Sequence, residues 1–284
     1  MSDGDDSSSP RGAPGRLSVE LAERALAAHP LPIADAVAAL LAADSVFEMR
    51  DRVVEVFRAE LRVLAAIVLA ARLQLGPGPG GESPQLPELL RGLRSRGLTD
   101  GQWMSLIREG LRPWASASEA FPIPPLVTLF HARKAELPKL FDELLVMRKS
   151  ETVAHGATGT RAAIEEILAR RVPQLARTLE LCDPLWSKVT LVVPLAGEDV
   201  DAPQAAWALM GGTPHRGRFR KTELAPGQKL AVGETALVDR DGKPLLSLHP
   251  IADLRRPSPD AIPELFLLDG GAKKGALFVA FPSM

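Results

Sequence analysis

From Leu17 to about Leu185, apolar positions recur every three to four residues, the period of a helix buried along one side. Leu17, Leu21, Ala25 and Ala28 open the pattern, and Ile33, Val37, Leu40 and Leu41 continue it. The longest element is expected over about residues 45–75, where Val46, Met49, Val53, Phe57, Leu64, Ile67, Ala71 and Leu75 keep the spacing. The run Gly76-Pro-Gly-Pro-Gly-Gly-Glu-Ser-Pro84 then breaks it into a surface loop. Shorter helices follow at about 86–96 and 100–111, with Thr99 or Asp100 able to cap the second. After Pro122, Pro124 and Pro125 comes a helix at about 126–134. Another starts near Glu136, with Pro138 tolerated in its first turn. Gly156-Ala-Thr-Gly159 interrupts that helix just past His155. Thr160 can cap a further one through Ile164, Ile167, Leu168, Val172, Leu175 and Leu179, with Pro173 as a bend point.

At Lys188 the period changes. Val189-Thr-Leu-Val-Val193 is a short β-branched run, and residues 236–248 read as a hairpin turning at Asp241-Gly242. Residues 265–271 and 276–281 read as a second hairpin. The expected class is therefore α+β: an N-terminal α-helical bundle over residues 16–186, then a small antiparallel β domain over 187–284. Residues 1–15, rich in Ser, Gly, Pro and Asp, are expected to form a disordered tail.

Composition narrows the chemistry more than it names it. The formal charge of −1 argues against a protein that coats nucleic acid wholesale, though a local basic patch remains compatible with it. Cys182 is the single cysteine, so neither an intrachain disulfide nor a cysteine-based metal cluster is available, which suits a reducing cytoplasm. The acidic, polar start is unlike a signal peptide. The most apolar run, Val63 to Leu73, is about half the length of a membrane span and reads as a buried core helix. There is no Gly-Lys-Ser/Thr phosphate loop, Gly-x-Gly-x-x-Gly turn, Gly-x-Ser-x-Gly elbow or His-Glu-x-x-His pair. Kinase, protease and oxidoreductase chemistry is disfavoured, and neither a cofactor nor a metal is expected.

Two segments could handle phosphate. Arg148 and His155 stand seven positions apart, close to two helical turns, so their side chains would share a face. A guanidinium beside an imidazole that titrates near neutrality can bind and protonate a phosphodiester. The plainer alternative is a helix-terminal histidine satisfying the last carbonyls, with Arg148 paired to Glu151 or Asp142. The second segment is the basic run containing His215, Arg216, Arg218, Phe219, Arg220 and Lys221, read either as an electrostatic patch or as a solvated loop. Trp103, Trp114, Trp186 and Trp207 read as packing residues, and His249 as a strand-end residue.

Taken in order, Thr99-Asp-Gly-Gln-Trp103, the helix from Leu144 through Arg148 to His155-Gly156, and the later Leu245 to Pro250 and Glu264 to Phe281 segments resemble an HEPN-like domain (higher eukaryotes and prokaryotes nucleotide-binding) with a C-terminal β extension. The resemblance implies an all-α bundle, often dimeric, in bacterial toxin–antitoxin, phage-defence or stress-signalling systems. In that family an arginine and a histidine are separated by four to six residues, which Arg148 and His155 match at the longest spacing. Lys149 stands where the family usually carries Asn, Asp or His.

The function this implies is a module binding RNA, a nucleotide or a partner protein, expected as a homodimer and acting with a separately encoded effector. One alternative is a metal-independent endoribonuclease, with Arg148 and His155 meeting across a dimer, Lys149 binding phosphate, and Ser150 or Thr152 positioning it. The other is a purely structural dimerisation protein.

Overall fold

The computed structural model describes residues 16–153, 160–196, 202–211, 219–256, 258, 263–272 and 275–280, with the backbone alone described over 146–153. The expected tail, residues 1–15, lies outside them. Among the described residues, eight α-helices come first: α1 (Val19–Ala28), α2 (Leu31–Ala42), α3 (Val46–Leu75), α4 (Leu86–Arg96), α5 (Asp100–Leu111), α6 (Pro124–His131), α7 (Leu137–Val153) and α8 (Arg161–Trp186). Short 3₁₀ turns at Arg112–Trp114 and Ser118–Ala120 join α5 to α6.

The starts of these helices follow from local chemistry. The Ser18, Ser45 and Thr160 hydroxyls accept from the backbone N–H groups of Leu21, Glu48 and Ala163, satisfying donors that have no partner within the helix. Thr99 and Gln102 form a reciprocal capping box at the start of α5. The 30-residue α3 is the axis of the bundle, packed by α2, α5 and α8. Residues Val63 to Ala71 are all buried, as the apolar run required. No described helix is long and apolar enough to cross a membrane.

Every strand pairing among the described residues of the second half is antiparallel. Strands β1 (Val189–Pro194), β2 (Ala205–Ala208), β3 (Arg220–Glu223), β4 (Ala236–Asp239) and β5 (Pro244–Ser247) form a sheet in the order β3-β2-β1-β4-β5. Strands β6 (Ala252–Arg255), β7 (Glu264–Ala272) and β8 (Gly275–Ala280) form a second one, with β7 central. The β4–β5 and β7–β8 hairpins fall where the sequence placed them. At the first turn, the Asp239 carboxylate accepts from the N–H groups of Asp241 and Lys243. β2, β3 and β6 were not anticipated.

One core runs through both halves. Val189, Leu191 and Val193 on β1, Leu237 on β4, and Leu265 and Leu267 on β7 belong to the same buried cluster as Leu61, Leu64 and Leu175 of the helices. Alternation along the strands sends Val192, Ala206, Ala236 and Val238 to the other face, where they pack with Leu224. A backbone seam joins the two parts at the α1–α2 corner: Leu31 N–H donates to Leu209 O (2.9 Å) and Gly211 N–H to His29 O (2.7 Å). Gly211 sits at φ 62°, and a Cβ there would lie 2.5 Å from Leu26 O, so glycine is needed twice over.

Candidate functional site

Where the bundle meets the three-stranded sheet, a cleft of about 460 Å³ opens. Helix α2 lines it with Pro32, Asp35, Ala36 and Ala39, positions that share one helical face. From α3 come Arg52, Glu55, Arg58 and Arg62, again at three-to-four spacing. Leu98, Thr99 and Asp100 close one end, while Leu267, Leu268 and Asp269 of β7 with Val279 of β8 form the far wall.

Each arginine is held by a carboxylate. Arg62 Nη2 lies 2.8 Å from Asp269 Oδ1, and its guanidinium stacks 4.2 Å above the Trp103 ring. Burial lowers the affinity of Arg62 for its proton, while Asp269 and Asp100 oppose that shift. Its Nη1 is buried with no hydrogen-bond partner. Arg58 Nε lies 3.2 Å from Asp100 Oδ2, in a pair whose carboxylate is almost wholly buried. Arg52 binds Glu55 (2.7 Å) and Glu48 (3.4 Å), and the hydrogen bond it donates to Glu55 is the main reason its proton is held more tightly than usual.

Three arginines face four carboxylates (Asp35, Glu55, Asp100 and Asp269), a formal balance of −1. Among the described residues the lining contains no histidine, cysteine, serine or lysine, and its one hydroxyl, on Thr99, is engaged in the capping box. These residues assemble no nucleophile–base pair. What the arrangement offers is an apolar floor bordered by ion pairs of both signs.

A second charged group reaches from the bundle interior to its surface at Asp183 and Arg24. His29, fully buried after α1, donates from Nε2 to Asp183 Oδ1 on α8 at 2.7 Å, and Arg24 holds the other oxygen at 3.2 Å. Glu60, on α3, is also fully buried and accepts from Trp186 Nε1 at 3.2 Å. Burial raises the Glu60 pKa, against the opposing influence of His29, Cys182 and Trp186. For Asp183 burial pushes upward too, but the His29 and Arg24 contacts outweigh it and the carboxyl ends below its usual value. Burial and the neighbouring Glu60 drive the Cys182 thiol well up. His29 Nδ1 and Glu60 Oε2 find no hydrogen-bond partner. Among the described residues no group of histidine, cysteine and carboxylate side chains could hold a metal ion.

The residues singled out from the sequence lie elsewhere. Arg148, Lys149, Ser150 and Thr152 stand on the last part of α7, where the backbone alone is described. His155 lies outside the described residues, and so do His215, Arg216 and Arg218. Arg220 and Lys221 are exposed on β3, an edge of the five-stranded sheet, in register with Ala208 and Trp207. As strand neighbours they project to opposite faces, so these two do not form one patch. Trp103, Trp114 and Trp186 are buried as expected. Trp207 is half-buried against Phe219, with ring centroids 6.3 Å apart.

Sequence reasoning missed both charged regions. Arg52, Arg58 and Arg62 look like the solvated stripe of any long helix. The available signal was Glu60, a carboxylate set between Ala59 and Leu61 just before the apolar run that starts at Val63. Compared with protein-family models, with curated proteins and with solved structures, the chain finds no match in any of the three.

Proposed function

We propose that this chain is a binding module, and that the cleft between α2, α3 and the three-stranded sheet holds a segment of a partner protein. The observation that carries the reading is the lining itself: apolar Ala36, Ala39, Leu98, Leu267 and Val279 beside arginines and carboxylates whose formal charges sum to −1. Such pairs can exchange one member for a carboxylate or an ammonium group of an incoming peptide, while its apolar side chains enter the cleft. A polyphosphate ligand would call for a surplus of positive charge, and three arginines against four carboxylates do not provide it. A volume of about 460 Å³ suits a few side chains of such a segment. Non-catalytic members of the HEPN-like group act as binding or dimerisation modules, and the resemblance read from the sequence agrees with this role.

The test is selection of peptides from a random displayed library on the wild-type protein, with a doubly substituted Ala39→Trp, Arg58→Glu protein as the blocked control. The expected result is a set of peptides, apolar at the centre and charged at the flanks, that the wild type retains and the blocked protein releases. Equal retention by both proteins removes the cleft from the reading. Retention of RNA at physiological salt, lost in Arg148→Ala, moves it to nucleic acid and reopens the Arg148/His155 endoribonuclease chemistry.

A further inference from the structure

A second cavity, of about 360 Å³, lies on the other side of the α4–β7 contact, between the last turns of α3 and α4 and the β7–β8 hairpin. Its volume is within the range of small-molecule sites, about 300–1,000 Å³. The walls are Leu69, Leu90, Leu93, Ile251 and Leu268, and Gly270, Gly271, Gly275 and Ala276 line the hairpin side. β7 packs so close to α4 that a Cβ on Gly271 would overlap Arg94 O, so only glycine lets the strand form that edge of the cavity.

Among the described residues, the charged side chains that border the cavity are Arg72 and Arg94, with no carboxylate. Arg72 gives one terminal nitrogen to Glu82 at 2.6 Å, while its Nε is buried without a partner. Arg94 is exposed and makes no ion pair among the described residues. Glu82 offsets one of the two charges, which leaves the rim with a surplus of one. At the mouth, Leu73 is 62% exposed, an apolar side chain standing in water next to an apolar cavity.

From this combination we infer that the cavity binds a single-chain amphiphile carrying one negative headgroup, of the fatty-carboxylate class. The tail lies against the leucine walls and covers Leu73. The carboxylate sits at the rim, taking N–H donors from Arg94 and completing the coordination of Arg72. Apolar burial supplies affinity and the guanidinium pair selects the sign of the headgroup.

The site shares the Leu268 wall with the cleft but none of its charged residues, and its test is independent. Dodecanoate, kept below the concentration at which it forms micelles, is titrated calorimetrically into the full chain. Dodecanol and dodecyltrimethylammonium serve as neutral and cationic controls. Expected are saturable binding of one dodecanoate per chain, binding of both controls at least about tenfold weaker, and a loss of about tenfold on Arg94→Gln. Ala276→Trp, which places a ring in the cavity, abolishes binding, and Arg58→Glu in the cleft leaves it unchanged. The Arg94→Gln arm stands by itself should the tryptophan variant fail to fold. Absence of saturable binding overturns the proposal. Equal affinity for dodecanol together with an unaffected Arg94→Gln protein overturns it too.

Discussion

The cleft and the buried node use the same kinds of group at different depths. Along the cleft, Arg52, Glu55 and Arg58 stand where water reaches, although Asp100 and one Arg62 nitrogen are buried. At the node, His29 and Glu60 are fully buried against Trp186, and only Asp183, held by Arg24, is partly exposed. Accessible ion pairs contribute little to stability but can trade partners, because each charge exchanges one set of contacts for hydration at small cost. Enclosed groups cannot trade at all, since losing a contact leaves a polar atom with neither protein nor water to bond. The node is therefore a fastening and the cleft a receptor surface, although a list of residue types would not separate them.

The sharpest way to break this contrast is His29→Ala. It removes the 2.7 Å hydrogen bond to Asp183 and leaves a void between α1 and α8. It is expected to cost about 3 kcal/mol in urea unfolding, a sum of the unpaired partner and the cavity. Arg62→Ala, which loses the Asp269 pair and the stacking on Trp103, should cost about 1–2 kcal/mol by the same measurement. Arg58→Gln should cost less than about 1 kcal/mol while still altering peptide retention. If Arg58→Gln destabilises the fold as much as His29→Ala, the division into fastening and receptor fails.

Dependence on pH sharpens the same comparison. The Glu60 pKa is raised in the folded protein, so its contribution is complete below the ordinary carboxyl value and is lost as pH climbs through the raised one. Glu60→Gln does not titrate there, and its stability relative to wild type should rise with pH across that window. Asp183, held below its ordinary value, acts in the opposite sense: its contribution is present above that value and disappears as pH falls through the lowered one. Unfolding curves recorded from acid to mildly alkaline pH check both signs. The smallest effect concerns Cys182, whose enclosed, high-pKa thiol should resist an aromatic disulfide reagent in the native protein and react fully in denaturant.

How much of this was legible beforehand depended on the range of each interaction. Helices written by a three-to-four period, caps such as Thr99 and Thr160, and the Asp241-Gly242 turn are local, and they appear where their residues dictate. Four-residue strands such as Ala205–Ala208 and Arg220–Glu223 are too short to carry a period, and their pairing is decided by neighbours far along the chain. The same holds for the sites. Arg62 meets Asp269 and His29 meets Asp183 only once the bundle and sheet have closed, so no spacing in the sequence announces either pair. The Arg148 and His155 spacing was visible because it is local, and that visibility says nothing of what the two side chains touch.

The seam at the α1–α2 corner has an evolutionary corollary. Its two fastening bonds run from main chain to main chain, and every amino acid other than proline brings the same donor and acceptor. Mutational drift at Leu209 or His29 would leave those two links in place, whatever it did to packing around them. Gly211 is the exception, because any larger residue collides with the carbonyls of α1. A descendant that has lost most other resemblance to this chain should still spell that one letter the same way.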